Sequence, residues 1–202
     1  MQKTKPIHIA CKAKQLNTFP YFFHICFINL LLRKLNKQSK TLTFVQKITK
    51  MSTFHDFNVN KYLLNALEDL EITTPTPIQQ ESFSVIKSGR NVIGIAQTGT
   101  GKTLAFCLPS LTDLKYSEQK NPRILILVPT RELVLQVVEN LKDYTKYMTV
   151  RIEGVYGGTN INTQKMAVAQ GVDVLVATPG RLYDLVMHRA LSLKSIQKLV
   201  ID

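Results

Sequence analysis

Two kinds of hydrophobic pattern alternate along most of the chain and predict alternating strands and helices. Short apolar runs with few polar interruptions, typical of strands buried on both faces, occur at VIGIA (92–96), RILILV (123–128), VRIEGVY (150–156), VDVLVA (172–177) and KLVID (198–202). Segments with helical spacing separate them, for example from Glu132 to Lys146. This order indicates an α/β fold in three layers, with helices on both faces of a mainly parallel sheet.

Two more helices are predicted ahead of the first apolar run. Residues 60–70 place four leucines on one helical face, namely Leu63, Leu64, Leu67 and Leu70. After a Thr/Pro-rich loop, Pro77 suits the first position of a second helix, and Gly89 lies just past the end of that helix. The packed domain is therefore expected to span residues 51–202.

Residues 1–50 have a different composition and form a basic leader. They contain ten Lys or Arg and no acidic residue, whereas residues 51–202 contain sixteen basic and fourteen acidic residues. The formal net charge of +12 thus belongs mainly to the leader and says little about the domain. The apolar stretch from Phe19 to Leu32 is short for a membrane span and includes Pro20, His24 and Asn29.

Three interpretations of the leader stay open. The composition matches AT-rich untranslated sequence read in frame, so we favour a disordered or non-native leader with Met51 as the true start. Targeting or membrane contact is the second interpretation, although no small-residue cleavage site follows the apolar stretch. A basic RNA-binding arm is the third. We expect no stable membrane association and a cytoplasmic location.

A phosphate-binding loop follows the first predicted strand and opens a helix, which is the context that such a loop requires. Glycines let successive backbone N–H groups point at one anion, the lysine can reach the β- and γ-phosphates, and the threonine hydroxyl can bind Mg²⁺. Ala96 stands where the strict pattern has its first glycine. The candidate ATP-binding residues are Ala96, Gln97, Thr98, Gly99, Thr100, Gly101, Lys102 and Thr103.

Further motifs follow the other predicted strands in a fixed order. Pro75-Thr-Pro-Ile-Gln79 lies upstream of the loop, and Phe54 precedes Gln79 by 25 positions. The later motifs are Pro129-Thr-Arg-Glu-Leu133, Gly157-Gly158, Thr178-Pro-Gly-Arg-Leu182 and the terminal Val200-Ile-Asp202. Taken singly, most of these would be surface glutamines, turns or helix caps, but together they form one specific set.

In order and spacing, the set over residues 51–202 resembles the first RecA-like domain of DEAD-box RNA helicases, most closely the bacterial RhlE-type group. The resemblance implies that Gln79 reads the adenine edge of ATP, because an amide can both donate and accept. It also implies that Phe54 packs on the adenine ring. Lys102 and Asp202 would be catalytic, and Thr103 and Asp202 would hold Mg²⁺.

The resemblance also implies sequence-independent RNA binding through the sugar–phosphate backbone. Backbone N–H groups, hydroxyls and guanidiniums at strand ends suit phosphate contacts. The candidate RNA-binding residues are Pro129, Thr130, Arg131, Gly157, Gly158, Thr178, Pro179, Gly180 and Arg181. One departure is that Glu71 and Ile72 stand where the family usually has glycine and an aromatic residue, which leaves the geometry of the loop before Gln79 open.

Parts of the family's machinery are expected beyond residue 202. These are the Glu after Asp202, the Ser-Ala-Thr motif, the strand between VIGIA and KLVI, and the second RecA-like domain. The RecA-like P-loop domain is thus expected to be incomplete at its C-terminus, to bind ATP and RNA weakly, and not to unwind RNA alone. Two rival interpretations remain, a different P-loop enzyme such as a small kinase and a non-catalytic ATP- or RNA-binding module.

Overall fold

The computed structural model describes residues 5–11 and 53–202. Five parallel strands and one antiparallel strand form a single sheet. The strands are β1 (Lys5–Cys11), β2 (Val92–Ala96), β3 (Ile124–Leu127), β4 (Ile152–Val155), β5 (Val174–Ala177) and β6 (Lys198–Ile201). The five apolar runs thus became β2 to β6, and the predicted α/β fold with a mainly parallel sheet is confirmed.

The helices lie between these strands as the periodicity predicts. A short 3-10 helix, Phe54–Phe57, comes first. The α-helices are α1 (Lys61–Asp69), α2 (Pro77–Lys87), α3 (Lys102–Thr112), α4 (Arg131–Tyr144), α5 (Ile161–Ala169) and α6 (Pro179–Met187). None of the described helices is long and apolar enough to cross a membrane.

Two hydrophobic cores lie on opposite faces of the sheet. Helices α1 to α4 cover one face, where Phe106, Ile126 and Val200 are fully or almost fully buried. Helices α5 and α6 cover the other face, where Leu175 and Leu185 are fully buried. Neighbouring residues of one strand therefore enter different cores, which explains why the buried strands read as uninterrupted apolar runs.

The helix α1 ends in a Schellman motif with an unusual residue. The N–H of Ile72 donates to the Leu67 carbonyl at 2.9 Å, and the N–H of Glu71 donates to the Glu68 carbonyl at 3.0 Å. Glu71 has φ = 57°, a left-handed conformation that glycine adopts far more easily. The non-glycine departure at this position is thus accommodated with backbone strain, and Ile72 still packs against the core.

Strand β1 is an internal strand next to the edge strand β2 in a sheet whose order is β2-β1-β6-β3-β5-β4. It pairs antiparallel with both neighbours, so that Ile9 lies opposite Val92 on one side and Val200 on the other. The slot between VIGIA and KLVI, which the resemblance assigns to a later strand, is therefore occupied by residues 5–11.

These seven residues belong to the leader, for which the sequence predicts disorder or a non-native origin. In the structure their backbone forms strand β1, and the origin of the leader stays a prediction. The rest of the leader, including the apolar stretch Phe19 to Leu32, lies outside the described residues. Its three interpretations therefore stay predictions.

Candidate functional site

The carboxyl ends of β2 to β6 meet at one edge of the sheet, and each is followed by a motif that the sequence singled out. Strand β2 leads into the phosphate loop, and β6 leads to Asp202. Strands β3, β4 and β5 lead to the motifs beginning at Pro129, Gly157 and Thr178. Open α/β sheets bind ligands in the crevice at this edge.

The order of the strands sorts these motifs into two groups. Strands β2 and β6, with the predicted nucleotide motifs, lie on one side of β3, and β5 and β4, with predicted RNA motifs, lie on the other. Strand β3 itself carries the Pro129 motif and pairs with both β6 and β5. The two predicted ligands would therefore bind side by side along one edge.

The phosphate loop has the backbone geometry that its glycines predict. Gly99 has φ = 81° and Gly101 has φ = 78°, both in the left-handed region. Gly101 is also the N-cap of α3, so the helix begins at Lys102 with its first N–H groups at the loop. An anion placed there meets several N–H donors and the positive end of the helix dipole.

Lys102 folds back over the phosphate loop. Its Nζ donates to the Ala96 carbonyl at 3.1 Å and to the Gln97 carbonyl at 2.8 Å. The Thr100 hydroxyl donates to the same Gln97 carbonyl at 2.7 Å. The cation is thus already held at the loop, where it can exchange two carbonyl contacts for the oxygens of a phosphate.

Gln79 joins helix α2 to the phosphate loop. Its Oε1 accepts from the Thr76 N–H at 2.9 Å, and its Nε2 donates to the Gly101 carbonyl at 3.1 Å. The side chain is at the third position of α2, where such a bond back to the N-cap stabilises the helix start. The residue is only 5% exposed. Sequence reasoning expected an adenine contact here and missed the link to the loop.

Phe54 lies in the hydrophobic core on the α1 to α4 face and is only 3% exposed. Its ring centroid is 5.7 Å from that of Phe57, which in turn makes an edge-to-face contact with Phe83 at 4.7 Å. Through Phe57, the ring helps to anchor the segment before α1 to helix α2. Its expected packing on adenine stays a prediction.

Thr103 and Asp202 are the predicted oxygen donors for a magnesium ion. Thr103 is the second residue of α3, and Asp202 follows β6, where its N–H donates to the Leu127 carbonyl at 2.9 Å. Magnesium prefers one or two carboxylates, phosphate oxygens and water, so this hydroxyl and carboxylate fit it. Among residues 53–202, no group of three or more His, Cys, Asp or Glu side chains is placed to hold a metal ion.

On the other half of the edge, Thr130 and Arg131 begin helix α4. The Thr130 hydroxyl accepts from the Leu133 N–H at 3.3 Å and caps the helix. Arg131 is exposed, and its guanidinium carbon lies 5.0 Å from the centre of the Tyr156 ring. The stacking keeps this cation at the edge beside the loop that follows β4.

Residues 156–159 form that loop, the glycine loop. The backbone at position 158 favours glycine because its φ is 80°, whereas position 157 does not have a positive φ. A Cβ atom at Gly157 or at Gly180 would meet nothing within 4 Å among the chain's own atoms. Both residues are exposed, so bare backbone faces the solvent at two neighbouring strand ends, as close approach of an outside molecule requires.

Arg181 is the exception among the candidate RNA-binding residues, because it points into the protein. It is 9% exposed, and its guanidinium donates to Gln164 Oε1 at 2.7 Å and to the Thr159 carbonyl at 2.9 Å. Gln164 was missed by sequence reasoning because a glutamine on an amphipathic helix gives no signal of its own. Thr178, Pro179 and Gly180, in contrast, lie at the open edge, half-buried or exposed.

Comparison with known proteins agrees with this arrangement. A family model described as DEAD/DEAH box helicase matches residues 76–202. Similar proteins include three named ATP-dependent RNA helicase DeaD, from Escherichia coli (strain K12), Haemophilus influenzae and Buchnera aphidicola subsp. Acyrthosiphon pisum. Their identities to this chain are 44% over 152 residues, 40% over 156 and 41% over 152, respectively.

These alignments cover 75%, 77% and 75% of this chain but only 24%, 25% and 25% of the relatives. The chain therefore spans about a quarter of the length of the relatives it matches. The finer resemblance to the RhlE-type group is not tested by relatives that carry the DeaD name and stays a prediction. The motif set, the sheet edge that gathers it and the matching family model together establish that the chain belongs to the DEAD/DEAH box helicase family.

Proposed function

We propose that this protein is an ATP-dependent RNA helicase, which couples ATP binding and hydrolysis to unwinding of RNA duplexes. The observation that carries the proposal is the order of the sheet, because it sets the phosphate loop and Asp202 beside three strand ends with RNA-type motifs. The relatives named ATP-dependent RNA helicase DeaD support the same activity.

For the nucleotide, we assign the triphosphate to the phosphate loop. N–H groups of the loop and of the first turn of α3 hold the phosphate oxygens, and Lys102 turns from the Ala96 and Gln97 carbonyls towards the β- and γ-phosphates. Gln79 binds the adenine edge, and its hydrogen bond to the Gly101 carbonyl couples that contact to the phosphate loop. Adenine recognition and phosphate binding thus share one hydrogen-bonded unit.

Thr103 and Asp202 would hold Mg²⁺, with Asp202 acting through a bound water. When bound, Mg²⁺ neutralises charge that develops on the phosphate oxygens. The residues of this chain contribute positioning and electrostatics, since phosphoryl transfer needs little covalent chemistry from the protein. Lys102 holds the β- and γ-phosphates in place, and the N–H groups of the loop fix the orientation of the triphosphate.

For RNA, we assign phosphate contacts to the exposed backbone and hydroxyl groups of the Pro129, Gly157 and Thr178 motifs. Arg131 supplies a cation at the same edge. Contacts of this kind position a strand without reading its bases, which suits an enzyme that acts on any sequence. We place this activity in the cytoplasm.

The chain spans about a quarter of its relatives, so its own capacity is a separate proposal. We expect it to bind ATP and RNA weakly and not to unwind duplexes alone. An arginine finger from another domain is worth about 10³–10⁵ in the rate of phosphoryl transfer. A second RecA-like domain is the partner that would supply it.

The test is binding of two unrelated single-stranded RNA oligonucleotides to the 202-residue chain, followed by fluorescence anisotropy at several salt concentrations. We expect similar affinities for both sequences and weaker binding as salt rises. Arg131→Ala should reduce the salt slope by about 0.7, the value for one phosphate contact to a single strand. The matched control is Arg90→Ala, at an exposed arginine before β2 on the opposite edge. Strong preference for one sequence, or no binding at all, would refute the proposed RNA contacts.

A further inference from the structure

The buried guanidinium of Arg181 is the feature that the proposed RNA contacts do not explain. Its two terminal nitrogens are both committed, one to Gln164 Oε1 at 2.7 Å and one to the Thr159 carbonyl at 2.9 Å. Its Nε is shielded from solvent, has no hydrogen-bond partner in the described part of the chain, and lies 4.0 Å from Asp184 Oδ2. At 9% exposure, the side chain offers little surface to a phosphate outside the protein.

Gln164 on helix α5 completes the network from the other side. Its Oε1 accepts from Arg181, while its Nε2 donates to the Thr159 hydroxyl at 2.9 Å and to the Tyr156 carbonyl at 3.3 Å. The Thr159 hydroxyl itself donates to the Tyr156 carbonyl at 3.3 Å. Gln164 from α5 therefore ties both ends of the glycine loop, and Arg181 from α6 ties the Thr159 end.

Between these two ties lie Gly157 and Gly158, which gain no rigidity from side chains. A glycine pair is free to adopt many backbone conformations, so its own sequence does not hold the N–H groups in one direction. Neither glycine is packed, since a Cβ atom at each position would meet open space. Any fixed geometry of the exposed backbone must come from the bonds at Tyr156 and Thr159.

We propose that Gln164 and Arg181 are positioning residues that clamp the glycine loop in the shape that receives an RNA phosphate. The inference rests on the proposed RNA binding and deepens it, because it assigns the contact to the loop backbone and a supporting role to Arg181. It also names Gln164, on a helix that carries none of the predicted motifs, as a determinant of RNA affinity.

The alternative is that Arg181 swings out and binds phosphate directly, as the resemblance implies. Lysine separates the two roles, because it keeps the charge but lacks the planar fork that reaches two acceptors at once. As a phosphate contact, Arg181→Lys keeps most of the affinity. As a clamp, Arg181→Lys behaves like Arg181→Ala.

The experiment compares four variants of the 202-residue chain: Gln164→Ala, Arg181→Ala, Arg181→Lys and the double alanine variant. The matched control is Gln170→Ala, at an exposed glutamine at the end of the same helix α5. Amide hydrogen exchange of the glycine loop is measured without RNA, and anisotropy with single-stranded RNA is measured across a salt series. Denaturant unfolding of each variant identifies any that fail to fold.

We expect faster exchange at residues 157–159 in all four variants and not in the control. RNA affinity should fall about tenfold in each single variant, the effect of one buried hydrogen-bond partner lost, and no further in the double variant. The salt slope should stay that of the wild type, because no phosphate contact of a charged side chain is removed.

Unchanged exchange in Gln164→Ala overturns the clamp, whatever the RNA result. A salt slope reduced by about 0.7 in Arg181→Ala, with affinity retained in Arg181→Lys, shows a direct phosphate contact and also overturns it. If the wild type binds no RNA, the proposed function fails as well, while the exchange data still decide whether the loop is clamped. Should Arg181→Ala unfold, Gln164→Ala and Arg181→Lys carry the same comparison.

Discussion

The side chain of Gln79 donates a hydrogen bond to the backbone carbonyl of Gly101, at 3.1 Å across 22 residues of sequence. The bond joins the motif upstream of the domain's first parallel strand to the N-cap of the helix that holds Lys102. A substitution that moves one of these residues should therefore shift the other. The contact is also tight, since a Cβ atom built on Gly101 would clash with Gln79 Nε2.

The first prediction concerns Gly101→Ala. The new methyl group must displace Gln79, so ATP affinity should fall more than about tenfold, measured by titration with a fluorescent ATP analogue. Gly89→Ala is the matched control, because Gly89 has φ = 76° but open space around it. Both variants pay about 1–2 kcal/mol for a left-handed alanine, and only the first should lose nucleotide. Equal ATP affinity in the two variants would contradict the coupling.

A second prediction follows from Glu71, which occupies the left-handed position of the Schellman motif after α1. Glycine at this position avoids the cost of a left-handed side chain, so Glu71→Gly should raise the free energy of unfolding by about 1 kcal/mol. The measurement is urea unfolding followed by circular dichroism. Glu118→Gly, at an exposed residue with an ordinary φ, serves as control and should not stabilise the chain. A destabilised Glu71→Gly would show that the carboxylate matters more than the backbone.

The third prediction concerns strand β1, which alone separates β2 from β6. Removing residues 1–50 leaves the edge strand β2 without any strand partner and β6 unpaired on one side. Each buried donor or acceptor left unpaired costs about 1–3 kcal/mol. Since whole domains are stable by only about 5–15 kcal/mol, residues 51–202 alone should aggregate or unfold without cooperativity.

The check is denaturant unfolding of the deleted chain, with and without a synthetic peptide of residues 1–14 added in trans. The peptide should restore a cooperative transition, because it supplies the missing strand. A sharp, reversible transition for residues 51–202 without the peptide, at the midpoint of the full chain, would show that the sheet closes without β1.

A fourth prediction concerns Asp173, which binds two arginines at the amino end of β5. Its carboxylate accepts from Arg123 at 2.8 Å and from Arg151 Nε at 3.0 Å. Burial raises the pKa of Asp173, but the hydrogen bonds from the Arg151 side chain and backbone and from Arg123 outweigh it, so the pKa lies below its usual value. A lowered pKa means that this stability is present above the unfolded-state pKa of about 4 and is lost as pH falls through the folded-state pKa.

Asp173→Asn should therefore lower the free energy of unfolding at pH 7 by about 3–5 kcal/mol, because it leaves the buried guanidinium of Arg123 and the half-buried one of Arg151 without their anion. The variant should also lose part of the decline in stability that the wild type shows below pH 4. Urea unfolding between pH 7 and pH 3 measures both effects. The control is Asp69→Asn, at an exposed carboxylate that contacts Lys146, where only a small change is expected. An acid dependence identical to that of the wild type would contradict the assigned role.

Much of the fold could be predicted because the signals are local. Strand β5 is buried at every residue, so it reads as an apolar run, and Pro77 and Gly89 mark both ends of α2. The phosphate loop is equally predictable from sequence, since the strand, the glycines and the first turn of α3 are contiguous. Periodicity and turn chemistry predict these local elements but not the contacts between them.

The parts that the sequence could not predict depend on pairs distant in the chain. Residues 5–11 show no strand signal strong enough to place them between β2 and β6, because register and partner are set by the whole sheet. The inward direction of Arg181 depends on Gln164, 17 residues away on another helix. A motif predicts that an arginine lies at a site, but its contacts require the packing of the surrounding helices.

Nucleotide binding at the phosphate loop is the property on which the proposed function depends most directly. The measurement is displacement of a fluorescent ATP analogue from the 202-residue chain by ATP and by GTP, in the wild type, Lys102→Ala and Gln79→Ala. Lys120→Ala and Gln80→Ala, at an exposed lysine and at the next glutamine of α2, are the matched controls. We predict that Lys102→Ala abolishes measurable binding and that Gln79→Ala removes a preference for ATP worth about 1–3 kcal/mol, while both controls keep it. Undiminished binding in Lys102→Ala, or equal displacement by ATP and GTP in the wild type, would contradict the account.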